Sequence, residues 1–204
     1  MTSNISIMIG MPVGRSIDIE TAESIFQTLL YGFPYPIIWK YKKGTYIDKN
    51  KCDLIEIAKK AKVTHIMQID ADVIFDPFAI ETLVNHGKLV VGASYNFKTF
   101  RLPDAKEWGI ASAVKLFGEN GEPVNPPPNG LPKELFKCYA LPGGFVLIDM
   151  KVFEMIKPPY FANVWEPTRY VGEDVYFCEK VRAKGIDVWC DPNIPVYHVG
   201  PYLY

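Results

Sequence analysis

The sequence predicts an α/β protein: a single domain built on a mostly parallel sheet with helices on both faces. Three observations predict it. Short apolar runs of strand length alternate with amphipathic helical segments through the first hundred residues, the order that successive βα units produce. One run, Ile66-Met67-Gln68-Ile69, ends abruptly at Asp70, as a strand buried on both faces of a parallel sheet reads. The 204 residues are 49% apolar and 22% charged. A chain of that kind buries about 70% of its unfolded surface and needs no disulfide to fold.

The elements follow in order. Ile5 to Ile9 is a strand that runs into the turn Gly10-Met11-Pro12-Val13-Gly14. A helix from Asp18 to Tyr31 comes next, with Ala22, Ile25, Phe26, Leu29 and Leu30 as its core-facing stripe and Gly32 beyond its end. After Pro36, Ile37 to Tyr41 is a second strand. The helix Lys51 to Ala61 places Leu54, Ile55, Ala58 and Ala61 on one face. The third strand ends at Asp70. Asp76-Pro77 reads as N-cap and first helical residue, and Gly87 as the stop. Lys88 to Ala93 is a fourth strand.

The second half is less regular. Residues 100–135 suggest no element, and Glu122 to Pro132, with Pro123, Pro126, Pro127, Pro128 and Pro132 around Asn129-Gly130, reads as a surface loop. Phe145 to Ile148 is a short strand after Pro142-Gly143-Gly144. A brief helix through Val152, Phe153 and Ile156 stops before Pro158-Pro159. An aromatic connection, Tyr160 to Tyr170, leads to a helix marked by Val175, Cys178 and Val181, which stops at Gly185. Ile186 to Cys190 alternates as a strand.

Composition narrows the classes of function. A net charge of −1 argues against a nucleic-acid footprint. Cys52, Cys138, Cys178 and Cys190 form no C-x-x-C pair, which points away from zinc or a disulfide framework and toward a reducing cytoplasm. No basic stretch with an apolar signal core opens the chain, and no apolar run is long enough to span a bilayer.

The chemistry-bearing residues sit where such folds place sites. In open α/β sheets, ligands bind beyond the carboxyl ends of the strands. Asp70 and Asp72 fall there, and two carboxylates make a hard-oxygen site for a divalent cation and, through it, a phosphate. The plainer reading is that Asp70 and Asp76 cap the following turn and helix. Glu173-Asp174 follows Gly172 at a helix start, where the dipole keeps carboxylates ionised; favourable first-turn charge alone also accounts for them. His198, in Val196-Tyr197-His198-Val199-Gly200, is a candidate ligand or a structural histidine.

The succession of segments THIMQIDADVIFDP, LPGGFVLIDMKVFE and VGEDVYFCEKVRAKGIDVWCDPNIPVYHVG resembles the inverting, metal-dependent GT-A glycosyltransferases that carry D-x-D and Glu-Asp motifs. The resemblance covers most of residues 4–200. It implies one GT-A (Rossmann-like) domain over 1–204, with a nucleotide-binding half, 1–98, and an acceptor-binding half, 99–204. It implies that Asp70 lies near the donor ribose, that Ala71 also contacts the donor, and that Asp72, with Asp70 and His198, ligates Mn²⁺ or Mg²⁺; an imidazole favours Mn²⁺. Met11, Pro12 and Val13 match the loop beside the nucleotide base. Lys49-Asn50 match an Arg-Asn pair that touches the nucleotide, although Lys lacks the planar fork.

On the acceptor side the resemblance implies Asp174 as general base, with Glu173, Gly143, Gly144 and Trp165 around it. Tyr160, Phe161 and Tyr170 also flank the acid pair, and aromatic faces stack on sugar rings. Trp39 and Trp189 read as core, Lys40, Lys42 and Lys43 as a solvated edge, and Tyr95 and Lys98 as further donor contacts. The implied reaction moves a sugar, with inversion, from a nucleotide-diphosphate sugar to a hydroxyl of a glycan, protein or lipid acceptor. Small viral or archaeal members share this minimal layout, and a viral member would work in its host's cytoplasm.

Two other readings remain at this level. Asp70 to Val73 also satisfies the D-x-D-x-[TV] motif of haloacid-dehalogenase-like phosphatases, with Asp70 as the nucleophile. That motif usually opens its domain, whereas two strand–helix units precede it here. The other is a non-catalytic nucleotide-sugar-binding protein. A sugar nucleotidyltransferase fits less well, because no G-x-G-T-R-type loop follows the first strand.

Overall fold

The computed structural model describes residues 5–97, 112–127 and 130–200. The first half runs β1 (Ile7–Val13), α1 (Ile19–Leu30), β2 (Ile37–Lys43), α2 (Ile47–Ala61), β3 (His65–Ile69), β4 (Val73–Phe75), α3 (Ala79–Asn85) and β5 (Val90–Ala93). A small hairpin of β6 (Leu116–Phe117) and β7 (Pro123–Val124) follows, then β8 (Phe136–Lys137), β9 (Phe145–Asp149) and α4 (Val152–Met155). The last elements are β10 (Val164–Trp165), β11 (Tyr170–Val171), α5 (Glu173–Arg182), β12 (Trp189–Asp191) and β13 (Val196–His198).

The central sheet has seven strands in the order β2-β1-β3-β9-β5-β12-β8. β1 pairs in parallel with β2 and β3, and β12 with β5. β9 is inserted antiparallel between β3 and β5, and β8 lies antiparallel at the far edge. The other five strands share one direction, which gives the mostly parallel α/β architecture that the βα alternation predicts. The reversal of β9 matters for the site. Its first residue, Phe145, pairs with Ile69, the last of β3, so Gly143-Gly144 lands beside Asp70.

Side chains alternate across the sheet and build two cores. On one face Met8, Ile66, Val146 and Ile148 meet Leu54, Ile55 and Ala58 of α2 and Phe177, Cys178 and Val181 of α5. On the other, Ile7, Ile9, Met67, Ile69 and Leu147 meet Ile80, Leu83 and Val84 of α3, together with Ile25 of α1 and Phe75 of β4. Each fully buried aliphatic or aromatic side chain contributes roughly 1.5–3 kcal/mol. No helix among the described residues is long and apolar enough to cross a membrane.

Several local expectations are corrected. Met11, Pro12 and Val13 are buried residues of β1 rather than a turn, paired with Tyr41, Lys42 and Lys43. Beyond Gly10 the strand has β2 on one side only, where a proline is tolerated. α2 begins a turn early, at Ile47. α3 begins late, because Asp76 Oδ1 accepts from the Phe78 N–H in a turn of its own. Pro123-Val124 pairs with β6 instead of lying in a loop. Trp39 is exposed because β2 is an open edge, whereas Tyr160 and Phe161 are core. Lys98, Pro128 and Asn129 lie outside the described residues.

The largest correction concerns α1. Its sheet-facing residues are Thr21, Ser24, Ile25 and Thr28, while Phe26, Leu29 and Leu30 face outward. Short hydroxyl side chains make this possible. Ser24 Oγ donates to the Glu20 carbonyl and accepts from the Phe75 N–H, and Thr28 Oγ1 donates to the Ser24 carbonyl. Local side-chain-to-backbone bonding satisfies the Ser24 and Thr28 hydroxyls inside the interface, while the buried Thr21 Oγ1 has no hydrogen-bond partner among the described residues, and the small residues let the helix approach β4 closely.

Candidate functional site

The site forms where β3 ends. The Asp70 N–H donates to the Gly144 carbonyl at 2.9 Å. The chain then turns into β4, which pairs antiparallel with β13 so that Val73 lies opposite His198. The Val199 N–H donates to the Asp72 carbonyl at 2.7 Å, which closes the ladder next to the turn. These bonds draw Asp70, Asp72 and His198 together, each with one ligand atom within 4.8 Å of the others.

The surroundings orient these groups. His198 Nδ1 lies 3.0 Å from the Asn96 carbonyl oxygen. A carbonyl only accepts, so Nδ1 carries the proton and Nε2 keeps the lone pair a metal ion takes. Tyr95 packs edge-to-face on the imidazole with ring centroids 4.4 Å apart, and its hydroxyl accepts from the Gly144 N–H at 2.7 Å. Asp70 Oδ1 is buried with no hydrogen-bond partner among the described residues. An orphaned carboxylate oxygen, a second carboxylate and an oriented imidazole suit a divalent cation such as Mn²⁺ or Mg²⁺. Burial raises the Asp70 pKa above its ordinary 3.8, Lys51 opposes the rise, and the charges of Asp72 and Glu173 add to it.

A second cluster adjoins the first. α5 opens after Gly172 with Glu173 and Asp174 in its first turn. Lys51 reaches across from α2, and its Nζ lies 3.0 Å from Glu173 Oε1. That side chain is 1% exposed. Burial alone would lower the Lys51 pKa, but the fields of Asp70, Glu173 and Asp174 outweigh it and hold the ammonium above its ordinary value. Burial and the neighbouring Glu173 charge raise the Asp174 pKa, and Lys51 works against both. Asp174 Oδ1 also accepts from the Val175 N–H at 2.7 Å. A pocket lined by Gln68, Leu141, Gly143, Phe161, Asp174 and Phe177 opens beside this cluster.

Gly143 and Gly144 join the two clusters. A Cβ on Gly144 would strike the Tyr95 hydroxyl and lie 2.7 Å from Asp70 Oδ2; one on Gly143 would strike Lys51 Nζ and lie 3.2 Å from Asp174 Cβ. Neighbouring residues of one loop thus touch the acidic turn on one side and the acid–lysine pair on the other. Lys51 is the residue that sequence reasoning missed. Its signal was present: Lys51, Leu54, Ile55 and Ala58 recur at i, i+3, i+4 and i+7, which puts a lysine in an apolar stripe.

The remaining candidates lie on α2, in the acidic turn and on the β10–β11 hairpin. Lys49 is exposed and pairs with Asp53 at 2.7 Å, which also holds Lys42 at 3.0 Å. Asn50 is buried and donates to the Gly44 carbonyl at 2.9 Å. Ala71 lies in the acidic turn, and its carbonyl accepts from the Asp18 N–H at the start of α1. Trp165 and Tyr170 are exposed on the β10–β11 hairpin just before Gly172, with ring centroids 5.0 Å apart. Arg169 of that hairpin forks onto Glu179 of α5 at 2.9 and 3.1 Å, which fastens the two rings next to the Glu173-Asp174 turn.

No family model and no curated protein matches the sequence. Among solved structures the chain is similar to A197 from STIV, at 17% identity and a TM-score of 0.63, over 96% of this chain and 86% of that one. It is also similar to GalNAc-T7, solved with UDP, GalNAc and Mn²⁺, at 12% identity and a TM-score of 0.53. That match covers 98% of this chain and 45% of GalNAc-T7, so the chain spans less than half the length of that protein. Both likenesses are of fold, and they agree with a GT-A-like α/β architecture.

Proposed function

We propose that this protein is a metal-dependent glycosyltransferase that moves a sugar, with inversion, from a nucleotide-diphosphate donor to an acceptor hydroxyl. One observation carries the reading: the adjacent Gly143 and Gly144 set an Asp-Asp-His group that could hold a cation against a cluster of Asp174, Glu173 and the buried Lys51. The first suits a diphosphate and the second suits removal of a proton. GalNAc-T7, which shares the fold, was solved with ligands of this class. A phosphatase using Asp70 as nucleophile leaves His198 and Asp174 without a task.

In this reading Asp70, Asp72 and His198 hold Mn²⁺ or Mg²⁺, which when bound supplies a Lewis acid for the donor's diphosphate. The acceptor oxygen forms a bond to the sugar's anomeric carbon as the bond from that carbon to the diphosphate oxygen breaks. The hydroxyl proton passes to Asp174, and the nucleotide diphosphate departs with the bond's electron pair. Base assistance of this kind is worth ~10²–10⁴ in rate. Glu173 is oriented by Lys51, and Trp165 with Tyr170 offers faces on which an acceptor ring stacks. Residues 1–98 form the donor half and 99–204 the acceptor half, although His198 serves the donor's cation. Met11 to Val13 and Lys49-Asn50 border the nucleotide through backbone and charge.

The direct test is thermal shift with a panel of nucleoside diphosphates and nucleotide sugars, with and without Mn²⁺. A ligand that binds the folded form alone raises its melting temperature. The expected result is a Mn²⁺-dependent shift with at least one nucleotide, absent in Asp72→Ala. A panel with no shift, or a shift that Asp72→Ala retains, contradicts the assignment.

A further inference from the structure

The outward face of α1 is an apolar surface that the proposed reaction does not use. Ile19 is 76% exposed, Phe26 60% and Leu30 67%, with Leu29 beside them. At the helix's end the exposed Tyr31 packs edge-to-face on the exposed Phe78, ring centroids 5.7 Å apart. On a helix of a monomer these positions are polar; here hydroxyl residues take the inner side and the apolar ones the outer.

The six side chains expose on the order of 600 Å² of apolar surface, judged from the 150–250 Å² that a large side chain offers. That approaches the roughly 800 Å² per partner of a standard stable interface and reaches the top of the roughly 300–600 Å² that the largest apolar patch of a monomer spans. Charge separates the possible occupants. α1, Ile-Glu-Thr-Ala-Glu-Ser-Ile-Phe-Gln-Thr-Leu-Leu, has Glu20 and Glu23 and no Lys or Arg. Helices that lie on lipid surfaces carry a basic polar face, so this one is built against anionic lipid. A near-neutral chain of net charge −1 meets little repulsion from its own copy.

We infer that α1 is a homodimer interface, two copies crossing antiparallel about a twofold axis with the Ile19–Leu30 stripe of each on the other. Antiparallel crossing sets one copy's Ile19 against the other's Leu30. It also sets Glu20 and Glu23 against the acid-free C-terminal half, with Glu23, which shares the stripe's face, opposite the partner copy's Phe26. An isologous contact of this kind needs no second patch.

Sedimentation velocity on the full chain, up to ~100 µM, where an interface of this size is populated, tests the inference. The expected species has twice the 23.1 kDa chain mass. Phe26→Glu and Leu30→Glu each return it to one chain mass, with the wild-type circular dichroism retained because both side chains are exposed. Ile19→Lys, at the other end of the stripe, does the same. A wild type that stays monomeric at the highest concentration overturns the inference, as does a dimer that survives all three changes. Flotation of a monomeric wild type with phosphatidylglycerol vesicles assigns the face to lipid instead and also overturns it.

Discussion

Lys51 Nζ sits 3.0 Å from Glu173 Oε1 across 122 residues of chain, in a place where the lysine has lost nearly all contact with water. The pair joins the middle of α2's apolar face to the first turn of α5. It also places a fixed positive charge among Asp70, Glu173 and Asp174. Removing one partner of a buried pair strands the other charge, whereas removing both often restores stability. Lys51→Met is therefore expected to lose about 3–5 kcal/mol in urea unfolding. Lys51→Met/Glu173→Gln is expected to recover most of it. A double variant no more stable than Lys51→Met would mean the two charges are not coupled.

Gly144 has a sharper role than loop flexibility. Because an added methyl would meet the Tyr95 hydroxyl and Asp70 Oδ2, Gly144→Ala must push the acidic turn away from its bonded position. The expected outcome is Mn²⁺ affinity at least tenfold weaker by electron paramagnetic resonance titration. Gly14→Ala is the control: nothing lies within 4 Å of its added carbon, and affinity should stay at the wild-type level. Equal affinity in both variants would remove the Gly144–Asp70 contact from the account.

Asp174 has a pKa raised above the ordinary 3.8, mainly by burial. The native state therefore binds a proton more readily than the unfolded chain, and ionising Asp174 costs stability as pH rises through the native pKa. Asp174→Asn removes that cost. The variant should be more stable than wild type at pH 7, and its advantage should shrink as pH falls through Asp174's native pKa toward 3.8. Paired denaturation curves at several pH values measure the difference. An advantage that grows on acidification would mean the carboxylate is stabilised where it sits.

The acidic half of this site is legible in sequence because its signals are local. A strand that stops at two carboxylates and a glycine before an acidic helix start are each confined to a few residues. His198 is legible only through its order after those motifs, and its register opposite Val73 depends on a β4–β13 pairing with no local signature. The spacing predicts a helix that opens at Lys51, but the helix begins four residues earlier, which sets Lys51 inside the buried stripe rather than at its end. Of the expected stripe on α1, Ile25 faces the core while Phe26, Leu29 and Leu30 face outward. Periodicity says which residues share a face, and hydroxyls at Thr21, Ser24 and Thr28 decided which face turned inward. Met11 to Val13 looked like a turn because Gly10 and Pro12 are poor strand residues, but pairing with β2 overrode propensity.

The shortest route to the central claim is turnover of a nucleotide sugar with Mn²⁺ present, compared between wild type and Asp174→Asn. Measurable transfer or donor hydrolysis is expected in the wild type. A loss of ~10²–10⁴ is expected in the variant, with the Mn²⁺-dependent nucleotide thermal shift unchanged. Wild-type turnover in Asp174→Asn would contradict the claim.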